Sequence, residues 1–103
     1  MNTSTIKLLS LAAFLTVAGA LSAATITWNG NVNSNWTTAG NWSSGSVPTS
    51  SDDVVINNGS ASNQPVLNGN FTYNSLSISA GELEMLGYTI TATTLTFTGG
   101  TVK

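Results

Sequence analysis

The feature that most constrains the fold of this chain is a pattern that repeats on itself. Thr72, Ser75, Leu76, Ser77, Ile78, Ser79, Ala80, Gly81 and Leu83 match Thr91, Thr94, Leu95, Thr96, Phe97, Thr98, Gly99, Gly100 and Val102 at a constant offset of 19. An earlier copy lies at an offset of 22, where Val54, Ile56 and Gly59 match Leu76, Ile78 and Gly81. Each copy is an apolar-x-apolar run closed by a glycine. Alternation with period two predicts a strand with one buried face, and the glycine predicts the turn that ends it. Further short strands are expected at 65–67, 71–73, 83–85 and 88–90, with Gly69, Gly81 and Gly87 between them. Several short strands in every period of about 20 residues fit a coil of a parallel β-helix, a solenoid. A β-sandwich is the alternative, but its strands are longer and joined by hairpins. In the β-helix register Leu76 and Ile78 point inward and Ser75, Ser77 and Ser79 outward. Equivalent strands then stack about 4.8 Å apart.

Composition removes several chemistries. The chain has no Cys and no His, which excludes disulfides, cysteine nucleophiles, the common zinc sites and Ser-His triads. Rigidity without disulfides has to come from elsewhere, and regular stacking of repeats is one source. Charged residues make up 6%, the formal net charge is -2, and Lys7 and Lys103 are the only basic residues. That balance argues against a nucleic-acid partner, whose phosphates require clustered Lys or Arg.

The stretch 1–24 reads as an address. Lys7 precedes the apolar run 8–21, and Ser22-Ala23-Ala24 supplies small residues for cleavage, the layout of a secretory signal peptide spanning 1–24. An uncleaved anchor is the alternative. The run is shorter than the roughly 20 apolar residues of a spanning helix and contains Ser10, Thr16 and Gly19. The expectation is therefore a secreted, extracellular or cell-surface chain with no membrane segment after cleavage.

Residues 25–51 hold all three tryptophans, Trp28, Trp36 and Trp42, among Asn, Gly, Ser and Thr. As one strand, 28–36 places Trp28, Val32 and Trp36 on one face and four Asn side chains on the other; two short strands broken near 31–34 are equally compatible. Two functions follow. The preferred one is a cap: a stack of repeats leaves its terminal apolar layer bare, and the tryptophans sit where that layer needs closing. The other is a carbohydrate-binding module, in which Trp28, Trp36 and Trp42 stack on sugar rings of surface glycans while Asn35 and Asn41 bond their hydroxyls. The sequons at Asn35, Asn41, Asn58 and Asn70 are expected by chance in a chain this rich in Asn, Ser and Thr.

The series Trp28-Asn29-Gly30, Trp36, Asn41-Trp42, Gly45, Pro48 and Asp52-x-Val54-x-Ile56 resembles the N-terminal region of large secreted or surface-exposed bacterial β-helix proteins. These are adhesin-like proteins and passengers carrying autotransporter-associated β-strand repeats. The resemblance covers 25 to about 59 and implies an architecture, a right-handed parallel β-helix, rather than an activity. Members of that group are usually far longer.

The remaining acids offer little for catalysis. Glu82 and Glu84 on one strand face would stand about 6.6 Å apart, near the spacing of an inverting glycosidase pair, yet any Glu-x-Glu on a strand does so. No Arg or His accompanies them. Asp52 and Asp53 with Asn57 or Asn58 could ligate Ca²⁺; the preferred role of Asp52 is to end the loop before the first repeat strand, and no metal or cofactor is assigned. Residues 1–24 are thus expected to be a signal peptide, 25–51 a Trp-rich cap and 52–103 β-helix coils, in a non-enzymatic structural or adhesive segment. Leu95, Phe97 and Val102 are expected to form an uncovered layer, engaged by further coils or by self-association through the C-terminal edge.

Overall fold

The computed structural model describes residues 24–103. The expected signal peptide lies outside the described residues except for Ala24. Six strands follow in order: β1 Thr25–Thr27, β2 Asp53–Asn57, β3 Phe71–Ala80, β4 Glu82–Leu83, β5 Ile90–Phe97 and β6 Thr101–Val102. A single 3-10 turn at Ala39–Asn41 is the only helical element among the described residues. The fold is all-β.

Every pairing between these strands is parallel. One sheet has the order β1-β2-β3-β5 and a smaller one pairs β4 with β6; neither closes on itself. β1 pairs β2 with Thr25 opposite Asp53, and β2 pairs β3 with Val54 opposite Leu76, the second being the offset of 22. β3 pairs β5 with Leu76 opposite Leu95 and Ile78 opposite Phe97, the offset of 19, which also relates Leu83 to Val102 in the small sheet. The offsets at which the sequence repeats are therefore the steps of the ladder. None of these strand pairings is a hairpin of the kind that builds an antiparallel sandwich.

A third parallel ladder runs beside the two sheets. Asn35 bridges Val66, and Val66 bridges Glu84. The Val66 N–H donates to Ser34 O (2.9 Å), the Glu84 N–H to Pro65 O (3.0 Å) and the Lys103 N–H to Leu83 O (2.9 Å), so this ladder climbs through the same layers as the first. Two strands expected separately, 71–73 and 75–79, merge into β3, because both halves find partners in the single strand β5.

Burial follows the alternation. Leu76 and Ile78 are buried, and Ser75, Ser77 and Ser79 are half-buried or exposed. Inward residues stack in columns: Ile26, Val54, Leu76 and Leu95 make one, and Ile56, Ile78 and Phe97 another. Leu67, Tyr73 and Leu83 complete the core with the tryptophans. In parallel sheets such columns let each residue bury most of its apolar area against the layers above and below, about 1.5–3 kcal/mol for a fully buried Val, Leu or Ile.

One turn departs from the expected chemistry. Leu86 and Gly87 have φ of 52° and 85°, and the Tyr88 N–H donates to Met85 O (2.9 Å), closing a tight turn with both central residues left-handed. Leucine is a poor occupant of that conformation, and the Leu86 side chain is exposed. The layer above has Asn68-Gly69 in its place. Leu86→Asn is expected to raise stability by about 0.5–1 kcal/mol, read as a higher midpoint in urea unfolding at unchanged slope.

Candidate functional site

The tryptophans meet in one cluster at the β1 end of the stack. Trp28 and Trp36 lie nearly parallel with ring centroids 6.0 Å apart, and Trp42 sets its edge against both, at 5.0 and 4.8 Å. Phe71 and Tyr73, stacked on one another, extend the cluster from β3. Offset-stacked and edge-to-face arrangements are the favourable ones for rings with a negative face and a positive edge. Each indole N–H has an acceptor: Trp28 donates to Asn63 O (2.8 Å), Trp36 to the Tyr73 hydroxyl (2.8 Å) and Trp42 to Trp36 O (2.9 Å). With donors satisfied, the rings can be wholly interior.

They are interior. Trp28, Trp36 and Trp42 are 1%, 0% and 2% exposed, so no ring face is open for a sugar to stack on. The alternative expectation of a surface platform is corrected on that ground. Asn41, the second amide assigned to sugar hydroxyls, is also 0% exposed. Its Oδ1 accepts the Val32 and Asn33 N–H groups (2.9 and 3.0 Å), and its Nδ2 donates to Asn33 Oδ1 and Asn35 O (2.9 Å each). All of its capacity is spent on folding the segment around itself. In the folded chain the sequon at the buried Asn41 is inaccessible.

The capture of the Val32 and Asn33 N–H groups explains a second correction. Val32, expected beside Trp28 and Trp36, is 58% exposed, because the chain bends through 31–34 to reach the Asn41 side-chain oxygen instead of continuing as a strand. Asn35, the other amide of the set, is exposed. Its Oδ1 accepts from the Thr37 N–H and hydroxyl (3.0 Å each) and from Asn68 Nδ2 (3.1 Å), a local turn braced by the next layer. Two residues that matter here have no local signal in the sequence. Asn63 clamps the tryptophan segment, accepting from Trp28 at its carbonyl and donating from its side chain to Gly30 O (2.8 Å), and a Cβ at Gly30 would collide with the Asn63 carbonyl. Tyr73 holds Trp36 from β3. Burial pushes the Tyr73 hydroxyl pKa above its ordinary value, opposed by the Trp36 hydrogen bond and reinforced by the negative charge of Asp52.

The acids have structural partners. Asp52 Oδ2 accepts from the Thr49 N–H (2.7 Å) and hydroxyl (3.0 Å), closing the loop that precedes β2. Asp53 Oδ1 accepts from the Ser75 hydroxyl (2.6 Å) and Asn74 Nδ2 (2.8 Å), and these bonds, Ser75 first, hold its pKa below the ordinary carboxylate value. Glu82 and Glu84 flank the buried Leu83, and Glu82 pairs with Lys103 (2.8 Å), a contact that raises the lysine pKa. Both partners are exposed, so the pair contributes little to stability. Among the described residues no group of three or more acidic, His or Cys side chains could hold a metal, and no helix is long and apolar enough to cross a membrane.

The opposite end of the stack is uncovered. Leu95, Phe97 and Val102 are 66%, 54% and 43% exposed and rim an open apolar cleft of about 290 Å³ floored by Leu76, Ile78 and Leu83. This end, unlike the tryptophan cluster, presents exposed apolar side chains.

No curated protein and no solved structure matches the chain. Residues 27–101 match a family described as "Domain of unknown function (DUF8693)". The match begins at the first residues of the tryptophan segment and ends in the last strand, and with most of its length covered the chain belongs to that family.

Proposed function

We propose that this chain is an exported, non-enzymatic structural or adhesive segment of a bacterial cell-surface protein, built as a right-handed parallel β-helix whose N-terminal end is capped by the tryptophan cluster. The observation that carries this reading is the ladder: Thr25 pairs in parallel with Asp53, Val54 with Leu76 and Leu76 with Leu95, each strand with the one a repeat onward. Right-handedness follows from the near-universal hand of crossovers between parallel strands in one sheet. Residues 25–51 act as the cap and 52–103 as coils. The signal-peptide layout of 1–24 and the resemblance to surface β-helix proteins support export. The outward Ser and Thr side chains give the coils a polar outer face, which suits a role in spacing or attachment.

The test has two parts. An epitope-tagged chain in its bacterial host should be labelled on intact cells by a membrane-impermeant reagent; retention in the cytoplasm would refute export. Tryptophan emission of the purified chain should be blue-shifted, resist quenching by iodide and not respond to added oligosaccharides. Three quenchable tryptophans protected by an oligosaccharide would favour the carbohydrate-binding module instead.

A further inference from the structure

The two ends of the stack are built differently. At the β1 end Trp28, Trp36 and Trp42 close the core, whereas at the β5–β6 end the inward columns stop at exposed Leu95, Phe97 and Val102. The backbone of that last layer is equally unfinished. The Thr98, Thr101 and Lys103 N–H groups donate to Ile78 O, Gly81 O and Leu83 O in the layer before. Alternate residues of a parallel strand serve alternate neighbours, so the N–H and C=O groups of Leu95, Phe97 and Val102 point away from the fold. The longer edge strand, β5, carries none of the devices that blunt an edge, with no proline, no bulge and no inward charge, and β6 is blunted only by its shortness.

The corner of the coil is repeated in the last layer as well. Gly81 and Gly100 both have positive φ, 92° and 80°, and a Cβ at Gly100 would stand 2.7 Å from Gly81 O. The column of corner glycines therefore runs to the edge without a terminating residue.

We propose that this end is a docking surface for one further parallel coil. The occupant is a segment that repeats the chain's own pattern and is as long as the step from Leu76 to Leu95, which separates the last two layers. It carries apolar side chains over Leu95, Phe97 and Val102, Ser or Thr between them, and glycine over Gly100. The proposal rests on the β-helix reading above. It is favoured because it continues a parallel pairing the molecule already makes three times, between β1 and β2, β2 and β3, and β3 and β5. A second copy of the chain cannot supply that continuation: its N-terminal end is closed, so two copies could meet only by their open ends, with edge strands antiparallel and the glycine corners out of column.

The test is a chain extended after Lys103 by a copy of residues 85–103. Amide exchange at Leu95, Phe97 and Val102 should slow at least tenfold relative to the unextended chain, at concentrations where both are monomers. Phe97→Asp in the extended chain should restore fast exchange there, whereas Thr96→Asp, on the outward face, should not. The unextended Phe97→Asp chain should remain folded, because Phe97 is already half exposed. Unchanged exchange at these three amides in the extended chain would overturn the proposal. So would a concentration-dependent dimer of the unextended chain that protects the same amides, which would assign the end to a second copy. Loss of protection along 53–57 and 75–78 in the unextended chain would instead refute the β-helix reading itself.

Discussion

Ile78→Asp is expected to abolish the cooperative unfolding transition, while Ser77→Asp, at the neighbouring position, leaves it almost unchanged. Ile78 is 1% exposed and lies between Ile56 and Phe97 in an inward column, with no polar group placed to receive a carboxylate. An unpaired charge there costs several kcal/mol even after it is neutralised by protonation, comparable to the whole stability of a small domain. Ser77 sits between Val55 and Thr96 on the outward face, where a carboxylate keeps its water and the change should stay within about 1 kcal/mol. Circular dichroism against temperature distinguishes the two. If both variants unfold, or both survive, the inward and outward faces have been assigned wrongly and the register with them.

Asn41→Asp is expected to cost about 2–4 kcal/mol, although it changes the side chain by a single heavy atom. The carboxylate keeps the two backbone N–H groups of Val32 and Asn33 but sets an oxygen against Asn33 Oδ1 and Asn35 O, which now lack their donor. The clash raises the carboxyl's pKa in the folded state. A raised folded pKa means stability present at low pH and lost as pH rises, so the deficit relative to the parent chain should shrink as pH falls toward the unfolded-state carboxyl value of about 3.9 and change no further below it. Asn35→Asp is the control. Its Oδ1 only accepts, from Thr37 and Asn68, and the residue is exposed, so urea unfolding should shift little. An Asn41→Asp midpoint equal to the parent's at neutral pH would show that the amide is not the brace of this segment.

These two asparagines mark where the sequence could be read and where it could not. Both precede a tryptophan, and nothing in their local pattern separates a buried brace from an exposed turn. What decides is the return of the chain from Trp36 to Trp42, which brings Asn41 under Val32 and Asn33; an alternation rule applied to 28–36 therefore faces Val32 inward when it is out. The repeat was legible for the opposite reason. A parallel ladder pairs each residue with the one a fixed number of positions onward, so Val54, Leu76 and Leu95 carry their contacts as a spacing. The merging of β3 escaped because it depends on β5 running beside both of its halves, whereas the turn after Met85 was marked by Gly87 and only its left-handed leucine was not. Asn63 and Tyr73 reach the tryptophan cluster from distant parts of the chain, at Trp28 and Trp36 respectively, beyond any local pattern.

The parallel ladder also fixes how the molecule answers to force. Its interstrand hydrogen bonds run along the direction in which the layers stack, and each layer holds only its neighbours. Tension applied at Lys103 would load these bonds one after another, beginning with the short β6 and passing into β5, so the chain should unzip layer by layer at low force. Tension spread evenly over a whole layer would have to break its bonds together. The same module is therefore compliant when pulled by its last residue and stiff when pulled through a partner covering the full end. Under load, the last part to yield would be the tryptophan cluster, where Asn63 and Tyr73 tie the first layer to the two that follow.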